Sequence, residues 1–382
     1  MHKINDRLID TGQVISYKGI PLALSSKFGA ISYVSLEGDN AIAQVGQIDK
    51  PFRTIQAAVD ATPDFGFVYI FTGTYDGQIN LTKSVTLFLY GATLRNTSAD
   101  ATQHTITYTG LNVERKINIL GVGTIQRTGV TNADTATARA VWMPFLHYID
   151  LFVGGIDVTC TNAAAFEFAK GRHFTYRDGK ISITGRGHGI ACNEAHNGNS
   201  YLFERVTVRT DLGRCLNLYG GSNRAILRDC DMLSNSNQAI VGVDMTFILE
   251  GCTTESKLYE ALRDYQFGRI RAINSKFIGQ TYAWSGQDYI QRFGFQNCDF
   301  VSKTTFPVYF KPLLDFPNQQ EFLNCRLIAH SSATQIFAYV DQYGATSVKF
   351  INCTGNKDLP AVRYQSVIRN YIFEETLSDI TI

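Results

Sequence analysis

Phe293-Gly294-Phe295-Gln296-Asn297-Cys298-Asp299-Phe300 carries the phrase on which the reading of this chain turns: an alternating apolar run that leads into Asn-Cys. Variants recur at Asp229-Cys230, Gly251-Cys252, Asn274-Ser275, Asn324-Cys325 and Asn352-Cys353, with steps of 22, 23, 23, 27 and 28 residues between second members. A period of about 20–30 residues built on short alternating strands is the signature of a solenoid.

In such a stack, equivalent side chains form ladders along the axis. Small Cys and Ser fit the inside of a tight coil. An Asn beside them can bond to its own backbone and to the Asn of the next coil at a strand-to-turn junction. The expected fold is therefore all-β, a right-handed single-stranded parallel β-helix. Its structural ladder is expected to comprise Cys230, Cys252, Asn274, Ser275, Asn297, Cys298, Asn324, Cys325, Asn352 and Cys353. Earlier coils are read at Phe203-Glu204-Arg205-Val206 and Phe174-Thr175-Tyr176-Arg177, and the stack is expected to begin near Ile117-Asn118-Ile119 and Val85-Thr86-Leu87. Leucine-rich repeats are excluded by the missing Leu-x-x-Leu-x-Leu frame, and propellers by their blades of about 40 residues.

A chain of 382 residues suits one elongated domain. A formal net charge of +1, with no Lys/Arg-rich block, argues against a nucleic-acid partner. Five of the eight Cys fall at the repeated inward position. They read as free buried thiols rather than disulfides, and no Cys or His spacing suits zinc. No segment reaches the ~18 apolar residues of a membrane span. Nor does an apolar signal segment follow Met1-His2-Lys3-Ile4-Asn5-Asp6-Arg7, so the start is read as that of a chain made in a cytosol without general export.

Residues 1–30 carry no repeat and read either as an attachment arm or as a ragged end. Ile31-Ser32-Tyr33-Val34 reads as a strand. A helix is expected over 50–61, with Pro51 near its start and Phe52, Ile55, Ala58 and Val59 on one face. Phe67-Val68-Tyr69-Ile70-Phe71 then reads as a strand that turns through Gly73-Thr74-Tyr75-Asp76-Gly77. Such a helix would cover the open end of a solenoid. The expected organisation is an arm over 1–30, a strand, capping helix and first coil over 31–77, the β-helix over 78–354, and a C-terminal cap and tail over 355–382.

The Pro-Phe-x-Thr-Ile-Gln-x-Ala element from Pro51 and the Val-Tyr-Ile-x-x-Gly-x-Tyr element from Val68 resemble the opening of pectate-lyase-like right-handed β-helix proteins. That superfamily holds pectate lyases, glycosidases, epimerases, bacteriophage tailspikes and adhesins, so the resemblance implies a fold and leaves the chemistry open. With no export signal, the chain is nearest in character to the tailspike or virion branch. That resemblance implies a virion-associated tailspike or tail-fibre-like protein. It would form a homotrimer, contact a host-surface polysaccharide, and join other virion proteins through its N-terminal segment. The alternatives are a polysaccharide-degrading hydrolase or lyase and a purely structural component.

A glycoside hydrolase needs two carboxylates about 5–10 Å apart. Asp229 and Asp231 flank Cys230, Asp244 and Glu250 follow on the next coil, and Glu260 and Asp264 could share a helical face around Arg263. The catalytic candidates are Glu260, Asp264, Asp244 and His188. His188 lies in Arg186-Gly187-His188-Gly189-Ile190, which resembles the Gly-His-Gly element of polygalacturonase-type glycosidases. That family's preceding acidic elements have only Asp157 and Asp178 as counterparts here, and Arg269-Ile270-Arg271 stands imperfectly for its Arg-x-Lys. The plain reading is a glycine-flanked turn with an exposed His. Metal ligation by His188, Glu194 and His196 follows no standard spacing. No cofactor is expected, with calcium entering only under the lyase reading. For glycan contact the candidates are Tyr282, Trp284, Gln287, Asp288 and Tyr289, in a polar and aromatic segment read as a lateral loop. Trp142 is expected to pack inside an early coil.

Overall fold

The computed structural model describes residues 2–4, 7–9, 15–17, 20–23, 30–110, 114–131, 138–144, 149–168, 173–192, 200–265, 268–288, 292–312, 320–333, 337–339, 348–355 and 371–374. Among the described residues, apart from two short antiparallel pairs within residues 2–23, every paired strand lies parallel to its neighbours. The strands climb in three stacks. The first sheet runs from Ile31–Val34 and Gly66–Ile70 up to Val348–Ile351 and Tyr371–Glu374. The second runs from Gly73–Asp76 to Thr354–Gly355, and the third from Ile79–Leu81 to Phe337–Tyr339. This is the right-handed parallel β-helix expected from the repeat.

The corner between the first and second sheets explains the Asn-Cys phrase. One residue per coil there takes a left-handed φ: Asp229 50°, Gly251 66°, Asn274 51°, and Asn297, Asn324 and Asn352 52° each. Gly, Asn and Asp enter that region at least cost, which is why they fill the first position of the phrase. The second position turns inward. Cys298 Sγ donates to the carbonyls of Gln296 at 3.2 Å and Ala272 at 3.5 Å, and Cys325 repeats this with Leu323 and Phe295 at 3.4 and 3.5 Å. Ser275 serves the same corner, with Oγ donating to the Ile273 carbonyl at 2.9 Å. The side-chain ladder is present as well. Asn297 Nδ2 donates to Asn274 Oδ1 at 3.1 Å, and Asn324 Nδ2 to Asn297 Oδ1 at 3.1 Å. All eight cysteines are buried, and none is in a disulfide.

The core is a set of inward rows. In the first sheet Phe295, Phe322 and Phe350 stack with centroids 5.1 and 4.8 Å apart. In the third sheet Ile190, Leu216, Ile240, Leu262, Trp284 and Val308 follow one another in register. The helix starts later than expected. Thr54 caps it, its Oγ1 accepting from the Ala57 N–H at 3.3 Å, and it spans only Ile55–Ala61. Phe52 lies ahead of it, bridged in parallel to Val34, so Pro51 is not at its first turn. Ile55, Ala58 and Val59 are its buried face, packed on the first rungs. The stack begins at Ile31, well before Val85. Among the described residues no helix is long and apolar enough to cross a membrane.

Candidate functional site

The third sheet carries a second repeat. On each coil a small residue precedes the inward apolar one: Gly189-Ile190, Cys215-Leu216, Ala239-Ile240, Ala261-Leu262 and Ala283-Trp284. The small residue lets the chain turn tightly into the strand. The residue before it and the residue two places after it are then held side by side on the outer wall. In chain order the first column reads His188, Arg214, Gln238, Glu260, Tyr282 and Phe306. The second reads Glu167, Ala191, Asn217, Val241, Arg263, Ser285 and Tyr309, successive members being strand partners.

Hydrogen bonds lock the columns together. Arg214 donates from Nη1 to Asn217 Oδ1 at 2.7 Å and from Nε to Gln238 Oε1 at 3.3 Å. Gln238 Nε2 donates to Glu260 Oε2 at 3.2 Å, and Glu260 lies 3.6 Å from the Arg263 guanidinium. Arg263 in turn sits over the Tyr265 ring, 4.5 Å from its centroid. Toward the N-terminal end, Arg139 grips Glu167 with two bonds of 2.7 and 2.8 Å and lies over the Trp142 ring at 4.4 Å. Toward the C-terminal end, Tyr282 stacks on Tyr309 and leans on Phe306, each at 5.1 Å. Because Tyr282 and Tyr309 face one another, they offer edges and phenol groups to a ligand more than open ring faces.

The imidazoles on this wall are neutral. His188 Nδ1 accepts the Arg214 backbone N–H at 3.1 Å, which places the ring proton on Nε2. Burial, aided by the Arg214 charge, pushes its pKa down to about 4. Burial does the same for His104, also to about 4, reinforced by Arg139 and Arg127. The Tyr282 hydroxyl is held above its usual range by burial first, then by Tyr309 and Glu260.

The expected catalytic set does not converge. Glu260 lies on the outer side of the wall, itself buried at 6% exposure, whereas Asp264 points inward, fully buried in a row with Leu218, Gly242 and Gly286. A strand here puts the two acids on opposite sides of the wall, where a helix would have put them on one face. Among the described residues neither Asp264 oxygen has a partner in good hydrogen-bond geometry, and burial, only partly offset by the Tyr265 backbone N–H, holds its carboxyl well above the usual range. Asp244 occupies the corner after residues 240–243, with φ 54°. Asp231 pairs with Arg209, and Glu250 with Arg228 at 2.9 Å, away from this wall. His188 is half-buried in the stripe rather than exposed on a turn. Glu167 and Glu260 belong to strands about four coils apart, roughly 19 Å at ~4.8 Å per strand. That is too far for a hydrolytic pair.

The glycan candidates also divide. Tyr282 lies on the wall. Trp284 does not: it is fully buried in the inward row, packed on Phe293 and Phe295 at 4.7 and 5.1 Å. Its segment is the strand Trp284–Asp288, not a lateral loop, and alternation drives its first residue inside. The side chains of Gln287 and Asp288, and the whole of Tyr289, Glu194 and His196, lie outside the described residues. Trp142 is on the outer wall against Arg139, not inside a coil. Among the described residues no three His, Cys, Asp or Glu side chains gather as a metal site. The sequence reading missed Arg139, Glu167, Arg214, Gln238, Arg263 and Tyr309 because it followed the Asn-Cys register alone. The small-apolar register was the signal that could have found them.

No protein-family model and no curated protein matches this chain. Among solved structures it is similar to the pectin methylesterase PemA from Erwinia chrysanthemi, with a TM-score of 0.38 and 11% identity over 71% of this chain and 89% of that one. It is similar to a rhamnogalacturonan lyase, with a TM-score of 0.37 and 13% identity over 93% and 90% of the two chains. For the catalytic domain of a GH87 alpha-1,3-glucanase the TM-score is 0.41, with 11% identity over 93% and 70%.

Proposed function

We propose that this β-helix seats an extended polysaccharide lengthwise along the outer wall of the third sheet. One observation carries the reading: an unbroken run of hydrogen-bonding groups, His188, Arg214, Gln238 and Glu260, leads at strand spacing into the Tyr282, Phe306 and Tyr309 rings. Imidazole, guanidinium, amide and carboxylate match the mixed donors and acceptors of sugar hydroxyls. Groups already fixed to one another lose little freedom on binding. The ring edges supply apolar contact beside phenol donors.

Binding to a panel of neutral and acidic polysaccharides by titration calorimetry tests this. Arg214→Ala and Tyr282→Ala should each weaken binding about tenfold or more, a loss of roughly 1–2 kcal/mol. Unchanged binding in both would place the glycan elsewhere.

A second reading, polysaccharide cleavage, is favoured by Glu260. Its carboxylate contacts Gln238 and Arg263 without the two-pronged grip that immobilises Glu167. Mass spectrometry of products separates the two. Cleavage predicts defined oligosaccharides that vanish in Glu260→Gln while affinity persists; binding alone predicts intact polymer. The tailspike-like form of the proposal, with a host-surface glycan as ligand and residues 1–30 joining a virion, is tested by retention on host envelope polysaccharide and by co-purification with particles.

A further inference from the structure

Gly294 opens a notch in the outer wall of the first sheet. Nothing lies within 4 Å of where a Cβ would stand. The cleft, about 440 Å³, is bordered by Arg271, Ile273, Gln296, Glu321 and Leu323. These side chains form two short outward rows, Arg271, Gly294 and Glu321 on successive coils, with Ile273, Gln296 and Leu323 beside them.

On earlier coils of this wall the charges are paired along the stack. Arg177 reaches Glu204 at 2.7 Å, and Arg228 reaches Glu204 at 3.1 Å and Glu250 at 2.9 Å. Arg271 and Glu321 break the pattern: among the described residues neither makes a side-chain hydrogen bond or an ion pair. Two coils separate them, about 10 Å at ordinary strand spacing.

We propose that this notch is the centre of a contact with a second, antiparallel copy of the same chain. The arrangement is self-complementary. A dyad along the strand of Gly294 and Gln296 carries the coil below onto the coil above. Each Arg271 then meets the partner's Glu321, and each Ile273 meets the partner's Leu323. The two Gly294 notches face one another, leaving room for both ion pairs to lie down out of water. An interface of this kind is isologous: the same patch serves both subunits. The third-sheet wall stays open in such a dimer, so this inference uses different residues from the glycan reading and stands apart from it.

Sedimentation equilibrium over a wide concentration range, at low and high salt, tests the proposal, with circular dichroism confirming that every variant is folded. The chain should dimerise, more weakly at high salt. Arg271→Glu and Glu321→Arg should each weaken the dimer about tenfold or more, and the double reversal should restore it, because the pairs reform with their signs exchanged. A chain that is monomeric throughout overturns the proposal, as does a trimer or a dimer indifferent to both single reversals. So does a monomer whose polysaccharide binding responds to the same reversals, which would assign the notch to a glycan.

Discussion

Asp264 shows how one residue's direction changes its chemistry. Ringed by Gly242 and Gly286 inside the coil, it remains a neutral acid while the unfolded chain ionises above about 3.8. Its folded pKa is raised, so its contribution favours the fold only at low pH and turns against it as pH rises from about 3.8 toward the folded value. Asp264→Asn should therefore raise stability at neutral pH by about 1–3 kcal/mol and change little near pH 3, as denaturant titrations at both pH values would show. The opposite shift holds at His188 and His104. Both are neutral in the fold with pKa values near 4, against 6.5 for a free imidazole. Stability present above pH 6.5 should be lost as pH falls from there toward 4, because the unfolded chain takes up the protons first. His188→Gln should flatten part of that slope; an unchanged slope would remove His188 from the account.

The recurring element is the corner between the first and second sheets, where a left-handed residue is followed by an inward thiol or hydroxyl. Asn297 gives a direct test. Asn297→Ala keeps a side chain at φ 52° and removes both ladder bonds, so it should cost about 2 kcal/mol in thermal or denaturant unfolding, with Asn297→Gly costing less. Arg205 occupies the same corner at φ 52° and binds Asp178 with two bonds of 2.6 and 3.0 Å between exposed groups. Arg205→Asn should be neutral or stabilising, since Asn enters that region more readily and an exposed ion pair contributes little. Cys298→Ser should be tolerated better than Cys298→Val, because Ser275 already fills the equivalent place as a hydroxyl donor. If valine is the milder change, the thiol serves as packing and not as a donor.

At the scale of the whole molecule, stacking turns a local repeat into long walls with different chemistry. The inner side of the third sheet holds Trp284, whose replacement by Ala should cost about 3–5 kcal/mol and leave the outer wall chemically intact. The outer side aligns groups from several coils into the proposed glycan stripe. A truncated aromatic there, as in Tyr282→Ala, should instead change binding and cost less stability than the Trp284 change, the loss being that of its contacts with Tyr309 and Phe306.

The sequence alone determined the period, the all-β class, the Asn-Cys ladder, and the free buried thiols. Each of these depends on a residue type that one local backbone conformation demands, repeated until chance is excluded. It did not determine which acids meet or where the tryptophans point. Those outcomes depend on where each strand begins, and a shift of one residue exchanges inside for outside. Glu260 and Asp264 look like a pair at helical spacing, yet a turn followed by a strand sets one on the outer side of the wall, covered by Gln238 and Arg263, and the other in the core. Arg214, Gln238 and Glu260 lie 24 and 22 residues apart in the chain, and become hydrogen-bonded neighbours only because the coils stack.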